Sequence, residues 1–185
     1  MQLFSDESAL LIRNWETVRD ILNAEKQLRK ELNSCLVSLE KELVRRQRLI
    51  NGWVFVKHAD NQVYISNKKW VSENQYIVWI GVEYFNPDNV FGNDIPPNLY
   101  IWTPRKHYDL AKELIEQLQE SDFEIYGDVD NREKSGYIVR YAVRKYLEEE
   151  DLDEYVISIR SQILEFMTHY MDVLDKLNSV IEKYI

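Results

Sequence analysis

The hydrophobic period changes twice along this chain, and that constrains the fold more than any other feature. From Asp6 to Arg48 there is neither Gly nor Pro, and Leu11, Val18, Ile21, Leu28, Leu32, Cys35 and Leu39 recur close to three and four apart. Trp15, Leu22, Leu36 and Leu43 widen the stripe. This spacing predicts a long amphipathic helix, or two with a break, over 6–50. Ser5 or Asp6 offers the N-cap oxygen and Gly52 a stop. At the other end Val156, Ile159, Ile163, Phe166, Tyr170, Val173, Leu177, Val180 and Tyr184 repeat the alternation, which predicts a helix over 152–185. The acids of Glu148 to Glu154 complement its positive end.

Between the two stretches the period shortens to that of strands. Trp53 to His58 and Gln62 to Asn67 read as a hairpin around Ala59-Asp60-Asn61, and Gln75 to Phe85 as a longer strand. Asn86 to Pro97 reads as a loop, and Leu99 to Trp102 as a strand. Thr103-Pro104 opens a helix over 104–120 with Tyr108, Ala111, Leu114, Ile115 and Leu118 on its apolar face. Phe123 to Tyr126 and Tyr137 to Tyr146 complete the set. The expectation is an α+β domain over 1–185: a mainly antiparallel sheet of five or six strands at 52–147, flanked by helices, with long terminal helices that pair. The third strand is apolar on both sides, with Tyr76, Val78, Ile80, Val82 and Tyr84 on one and Ile77, Trp79, Gly81, Glu83 and Phe85 on the other. Both faces then call for cover, from the 104–120 helix on one and the terminal helices on the other. The alternative is an antiparallel stalk leading away from the sheet.

Charge narrows the partners. Lys and Arg total 23 against 32 Asp and Glu, a net −9, and the whole excess falls between Asp109 and Glu154. An acidic surface repels phosphate backbones, so general nucleic-acid binding is disfavoured, although Lys41, Arg45, Arg46 and Arg48 form a local basic group. The single cysteine, Cys35, lies among Leu32, Leu36 and Leu39 and packs as a small apolar residue. Without a basic-apolar leader or a long apolar run, the expected setting is a reducing cytoplasm, with no membrane contact.

Motifs that carry chemistry are scarce. The five glycines are scattered, no serine sits in a nucleophile elbow, and one Cys with three scattered His does not make a common zinc pattern. Asp122, Glu124, Asp128, Asp130 and Glu133 form the best cation candidate, with Asp128, Asp130 and Glu133 as its ligands. Arg132 and Glu133 occupy positions where a calcium loop needs an oxygen ligand and a glycine, so an exposed acidic turn is the plainer reading. Glu83 shares a strand face with Trp79 and Phe85, which would desolvate it. The element order parallels restriction-endonuclease-like nucleases, which hold Mg²⁺ or Mn²⁺ with carboxylates on adjacent strands and a Glu-x-Lys on the third. Here that strand ends Glu83-Tyr84-Phe85, so the lysine is missing. Asp60 would be the second carboxylate, with Lys57 or Lys68 as substitute base. The plainer reading is a strand-end carboxylate paired with a base or water.

His169 stands between Glu165 and Asp172 on one helix face, as a solvated charge pair would. His58 and His107 have no partner in sequence, and His107 is expected to be exposed in the first turn of its helix. The aromatics Trp53, Phe55, Tyr64, Trp70, Tyr76, Trp79, Tyr84, Tyr100 and Trp102 lack the interleaved cations of a base-stacking platform. Core packing is expected of them, and any exposed remainder suits a protein interface. Together these features favour a non-enzymatic interaction or regulatory protein, without a cofactor, that binds a protein partner or a second copy through its helices or acidic surface. An inhibitor mimicking nucleic-acid charge is one version. The alternative is a metal-dependent nuclease-like enzyme, or a degenerate descendant, using Glu83 and Asp60.

Overall fold

In the computed structural model, residues 5–46, 48–49, 52–92, 95–130, 136–143 and 151–185 are described. Helix α1 (Asp6–Arg13) starts at Ser5, whose Oγ accepts the Ser8 N–H at 3.2 Å. Asn14 then interrupts the run, its side-chain amide donating to the Leu10 carbonyl at 2.9 Å, before α2 (Trp15–Arg45). Strands β1 (Trp53–Ala59) and β2 (Gln62–Asn67) form the first hairpin. A smaller hairpin of β3 (Val71–Ser72) and β4 (Gln75–Tyr76) turns through Glu73 and Asn74, both at positive φ.

The chain continues through β5 (Trp79–Glu83), the short α3 (Pro87–Val90) and β6 (Asn98–Trp102). A single 3₁₀ turn at Arg105–His107 leads into α4 (Tyr108–Glu120), and β7 (Asp128–Val129) and β8 (Tyr137–Ala142) follow. Helix α5 (Leu152–Lys176) breaks at Leu177 into α6 (Asn178–Ile181) and a last 3₁₀ turn. Asp151 caps α5 by accepting the N–H groups of Asp153 and Glu154.

Six strands make one antiparallel sheet in the order β1-β2-β5-β6-β8-β7. The α+β architecture and both long helices are as the periodicity predicts. Three local expectations differ. The segment 75–85 is not one strand, because the Glu73-Asn74 turn spends Gln75 and Tyr76 on β3 and pairing with β2 begins only at Ile80. Phe123 to Tyr126 join no strand, since the carbonyls of Glu124 and Tyr126 turn toward α5 and receive His169 Nε2–H and Tyr170 O–H. Thr103 is buried but does not cap the following helix, which enters through the 3₁₀ turn instead.

The layering also differs. Val63 and Ile65, Ile80 and Val82, Leu99 and Ile101, and Val139 share one sheet face and are fully buried. Each such side chain contributes about 1.5–3 kcal/mol. On that face lie α2, α4, α5 and α6, joined in one continuous core. Tyr141 of β8, in register with Leu99, reaches α5 at Gln162 and Phe166, and Trp53 of β1 donates to Asp175 at 3.0 Å. Helix α4 packs on β8 and α6 and is tied to the C-terminal turn where Tyr184 O–H donates to Glu113 at 2.9 Å. The 104–120 helix therefore shares a face with the terminal helices instead of covering the other one.

Helices α2 and α5 pair in parallel, not as an antiparallel stalk. Midway along α2, Arg29 faces Asp88 at 3.8 Å, and near the start of α5 Tyr155 O–H donates to the Val90 carbonyl of the same short helix α3 at 2.6 Å. At the far end Arg48 binds Asp172 at 2.8 Å. Among the described residues, no helix is long and apolar enough to cross a membrane.

Candidate functional site: the open face of the sheet

The face that no helix covers among the described residues carries most of the remaining aromatics. Strand alternation places Tyr64 on β2, Trp79 on β5, and Tyr100 and Trp102 on β6 on this side, and the register shift between Ile101 and Trp102 pairs Tyr137 of β8 with Trp102, so the row crosses four strands. Tyr64 and Trp79 have ring centroids 5.4 Å apart, Trp79 and Trp102 4.2 Å, and Tyr100 meets Tyr137 edge-on at 5.6 Å. His58 closes one end, 6.1 Å from Tyr64. With Gln62 these residues line a groove of about 290 Å³. Trp53 and Trp70 belong instead to the core, where they meet edge-on at 4.9 Å and Trp70 donates to Asn178.

Gly81 permits this arrangement. It lies opposite Tyr100, and a Cβ there would come within 2.5 Å of the phenol ring, so the ring rests directly on the β5 backbone. That contact buries Tyr100 to 8% exposure while its neighbours stay half-exposed.

Glu83 closes the other end of the row and is itself only 8% exposed. Asn98 Nδ2–H donates to its Oε1 at 2.9 Å, and Tyr137 O–H approaches the same oxygen at 3.3 Å. Burial, and then the Glu83 charge, pushes the Tyr100 and Tyr137 phenols above the usual range. Both therefore remain protonated donors at neutral pH. Arg140 stacks over the Tyr137 ring at 4.8 Å. Beyond it a second hollow of about 340 Å³ is lined by Asn98, Asp128, Asp130 and Arg140.

The sequence candidates separate in space by partner. Glu83 is engaged by Asn98 and Tyr137, whereas the Asp60 side chain, 91% exposed, pairs with Lys57 at 3.0 Å. Asp128 sits opposite Arg140 in the β7–β8 register, Asp130 is buried beside it, and Glu133 lies outside the described residues. Among the described residues, His, Cys, Asp and Glu form no group of three or more able to hold a metal.

His169 is not a solvated charge pair. Its Nε2 lies 2.7 Å from the Glu124 carbonyl and its ring 4.4 Å from that of Tyr126. His107, expected to be exposed, has Nε2 buried, and burial followed by the neighbouring Lys106 lowers its pKa. Asn98, Tyr137 and Arg140 complete the Glu83 end without any local motif. Gly81 inside an aromatic strand was the available signal of a close approach.

Comparison with known proteins returns no match: no protein-family model, no curated protein and no solved structure resembles this chain.

Proposed function

We propose that this chain is a non-enzymatic interaction protein, and that the open aromatic face of its sheet docks a basic polypeptide segment. The observation that carries this reading is the row of rings from Tyr64 to Tyr137, half-exposed apart from Tyr100, ending at the buried carboxylate of Glu83. Tryptophan and tyrosine are the preferred anchors of protein interfaces, and the faces of such rings attract Arg and Lys. The net charge of −9 steers a basic partner from a distance, and Asp128 and Asp130 flank the neighbouring hollow. Contacts of this kind need no metal or cofactor. The lone half-buried thiol of Cys35 suits the same reading in a reducing cytoplasm.

A labelled nona-arginine peptide tests the proposal, with anisotropy and tryptophan fluorescence read against the whole chain. Saturable binding that quenches tryptophan and weakens at least tenfold in Trp102→Ala, with a nona-glutamate control inactive, supports it. Equal binding by wild type and Trp102→Ala overturns it, because the peptide would then be held by surface charge alone.

A further inference from the structure

We propose that α1 and the first half of α2 form an arm that pairs, antiparallel, with the same arm of a second copy of this chain. This goes beyond the aromatic face and does not rest on it. The apolar stripe of α2 is continuous, yet its environment changes halfway along. Leu32, Leu36, Leu39 and Leu43 are buried against the body, and Leu32 is the first buried residue of the helix. N-terminal to it the stripe continues in solvent: Trp15 is 57% exposed and Ile21 62%, with Leu10, Leu11, Ile12 and Leu22 exposed to similar degrees. From Asp6 to Gln27 the arm is roughly 33 Å long at helical rise.

Three observations identify the occupant as a second copy. First, Leu11, Ile12, Trp15, Ile21 and Leu22 lie on or beside one seam and offer roughly 500 Å² of apolar surface per arm, toward the ~800 Å² a side of a standard interface once flanking stems are added, while Leu10 points away from it. Second, a two-fold axis between Glu16 and Thr17 places the arm on itself over its full length. Leu11 then meets Leu22 and Trp15 meets Val18. Each apolar position of the seam finds an apolar partner, as an isologous interface requires. Third, the arm is wrong for the other common destination of an amphipathic helix. Asp6, Glu7, Glu16 and Asp20 outnumber Arg13 and Arg19 between Asp6 and Leu22, so an anionic lipid surface repels it.

Light scattering on the full chain at tens of micromolar is the first test. The expected mass is twice the 22.2 kDa of the chain. Leu11→Asp combined with Leu22→Asp returns it to one copy and leaves the circular-dichroism spectrum folded, because neither residue contributes to the core. Register is read in a Cys35→Ser background by mixing Leu11→Cys protein with Leu22→Cys protein, where the mixed disulfide forms faster than either homodisulfide. A monomeric wild type overturns the proposal, as does a dimer that survives the double Asp variant or one that cross-links Leu22→Cys to itself. A monomer that binds phosphatidylserine vesicles assigns the arm to a membrane surface instead. Trp102→Ala, which tests the aromatic face, leaves the dimer intact, so the two readings fail separately.

Discussion

The two faces of the six-stranded sheet are made from the same strands but by different rules. Toward the helices the side chains are branched aliphatics, fully buried: Val63, Ile65, Ile80, Val82, Leu99 and Ile101. Away from them the alternate positions hold Tyr64, Trp79, Tyr100, Trp102 and Tyr137, which tile the strands with rings. An aliphatic face needs a second layer to remove it from water. A ring laid against neighbouring rings and on the Gly81 backbone loses much of its exposed area within one layer and keeps a polar atom for solvent or a partner. A strand apolar on both sides therefore does not require helices on both sides.

Substitutions on the two faces test that difference. The largest effect is expected for Ile80→Ala or Ile101→Ala, about 3 kcal/mol by urea unfolding, since each leaves a cavity in a closed core. Trp102→Ala removes a larger side chain from the open face and should cost clearly less, about 1–2 kcal/mol, because water refills the space. If Trp102→Ala proves as costly as Ile101→Ala, the open face belongs to the folding core and the distinction fails. Gly81→Ala is comparable, about 1–2 kcal/mol, as its methyl lifts the Tyr100 ring, and adding Tyr100→Ala should recover part of the loss.

Glu83→Gln keeps acceptor geometry for Asn98 but removes the charge, at about 1 kcal/mol. Tyrosine ionisation followed by ultraviolet absorbance should then shift to lower pH for Tyr100 and Tyr137. An unchanged titration would mean that burial alone holds those phenols protonated.

The smallest effect belongs to the covered side. Burial pushes the Asp175 carboxyl up, with the Trp53 N–H opposing it in part. The folded chain therefore keeps a proton that the unfolded chain releases near pH 3.9. Stability falls as pH rises through that window, and the full cost persists above the raised value. Asp175→Asn retains an oxygen for Trp53 and should melt slightly higher than wild type at pH 7. The gain should fade as pH approaches 4, and solvent screening keeps it small.

Much of this could be read in the residues beforehand. The terminal helices are legible because a three-four alternation survives any tertiary context, and the first hairpin because Asp60-Asn61 interrupts a two-residue period. The layering was not legible, because hydropathy scores Tyr and Trp as needing cover without saying that rings can cover one another. The Glu83 site was half legible. Its carboxylate stood out among apolar neighbours, but Asn98 and Tyr137 come from strands 15 and 54 positions away, and only sheet order brings them in. The split of 75–85 escaped because Glu73-Asn74 adopts positive φ without the glycine that advertises such a turn.

The parallel pairing of α2 with α5 also bears on how the chain is made. Arg48 and Asp172 are 124 positions apart, so the seam of Leu32, Leu36, Leu39 and Leu43 leaves the ribosome long before the helix that covers it. The nascent chain carries an uncovered leucine stripe through synthesis of the whole sheet, and closure of the core waits on α5. Contacts of such long sequence separation are the kind that slow folding, because loop-closure entropy is spent before they form.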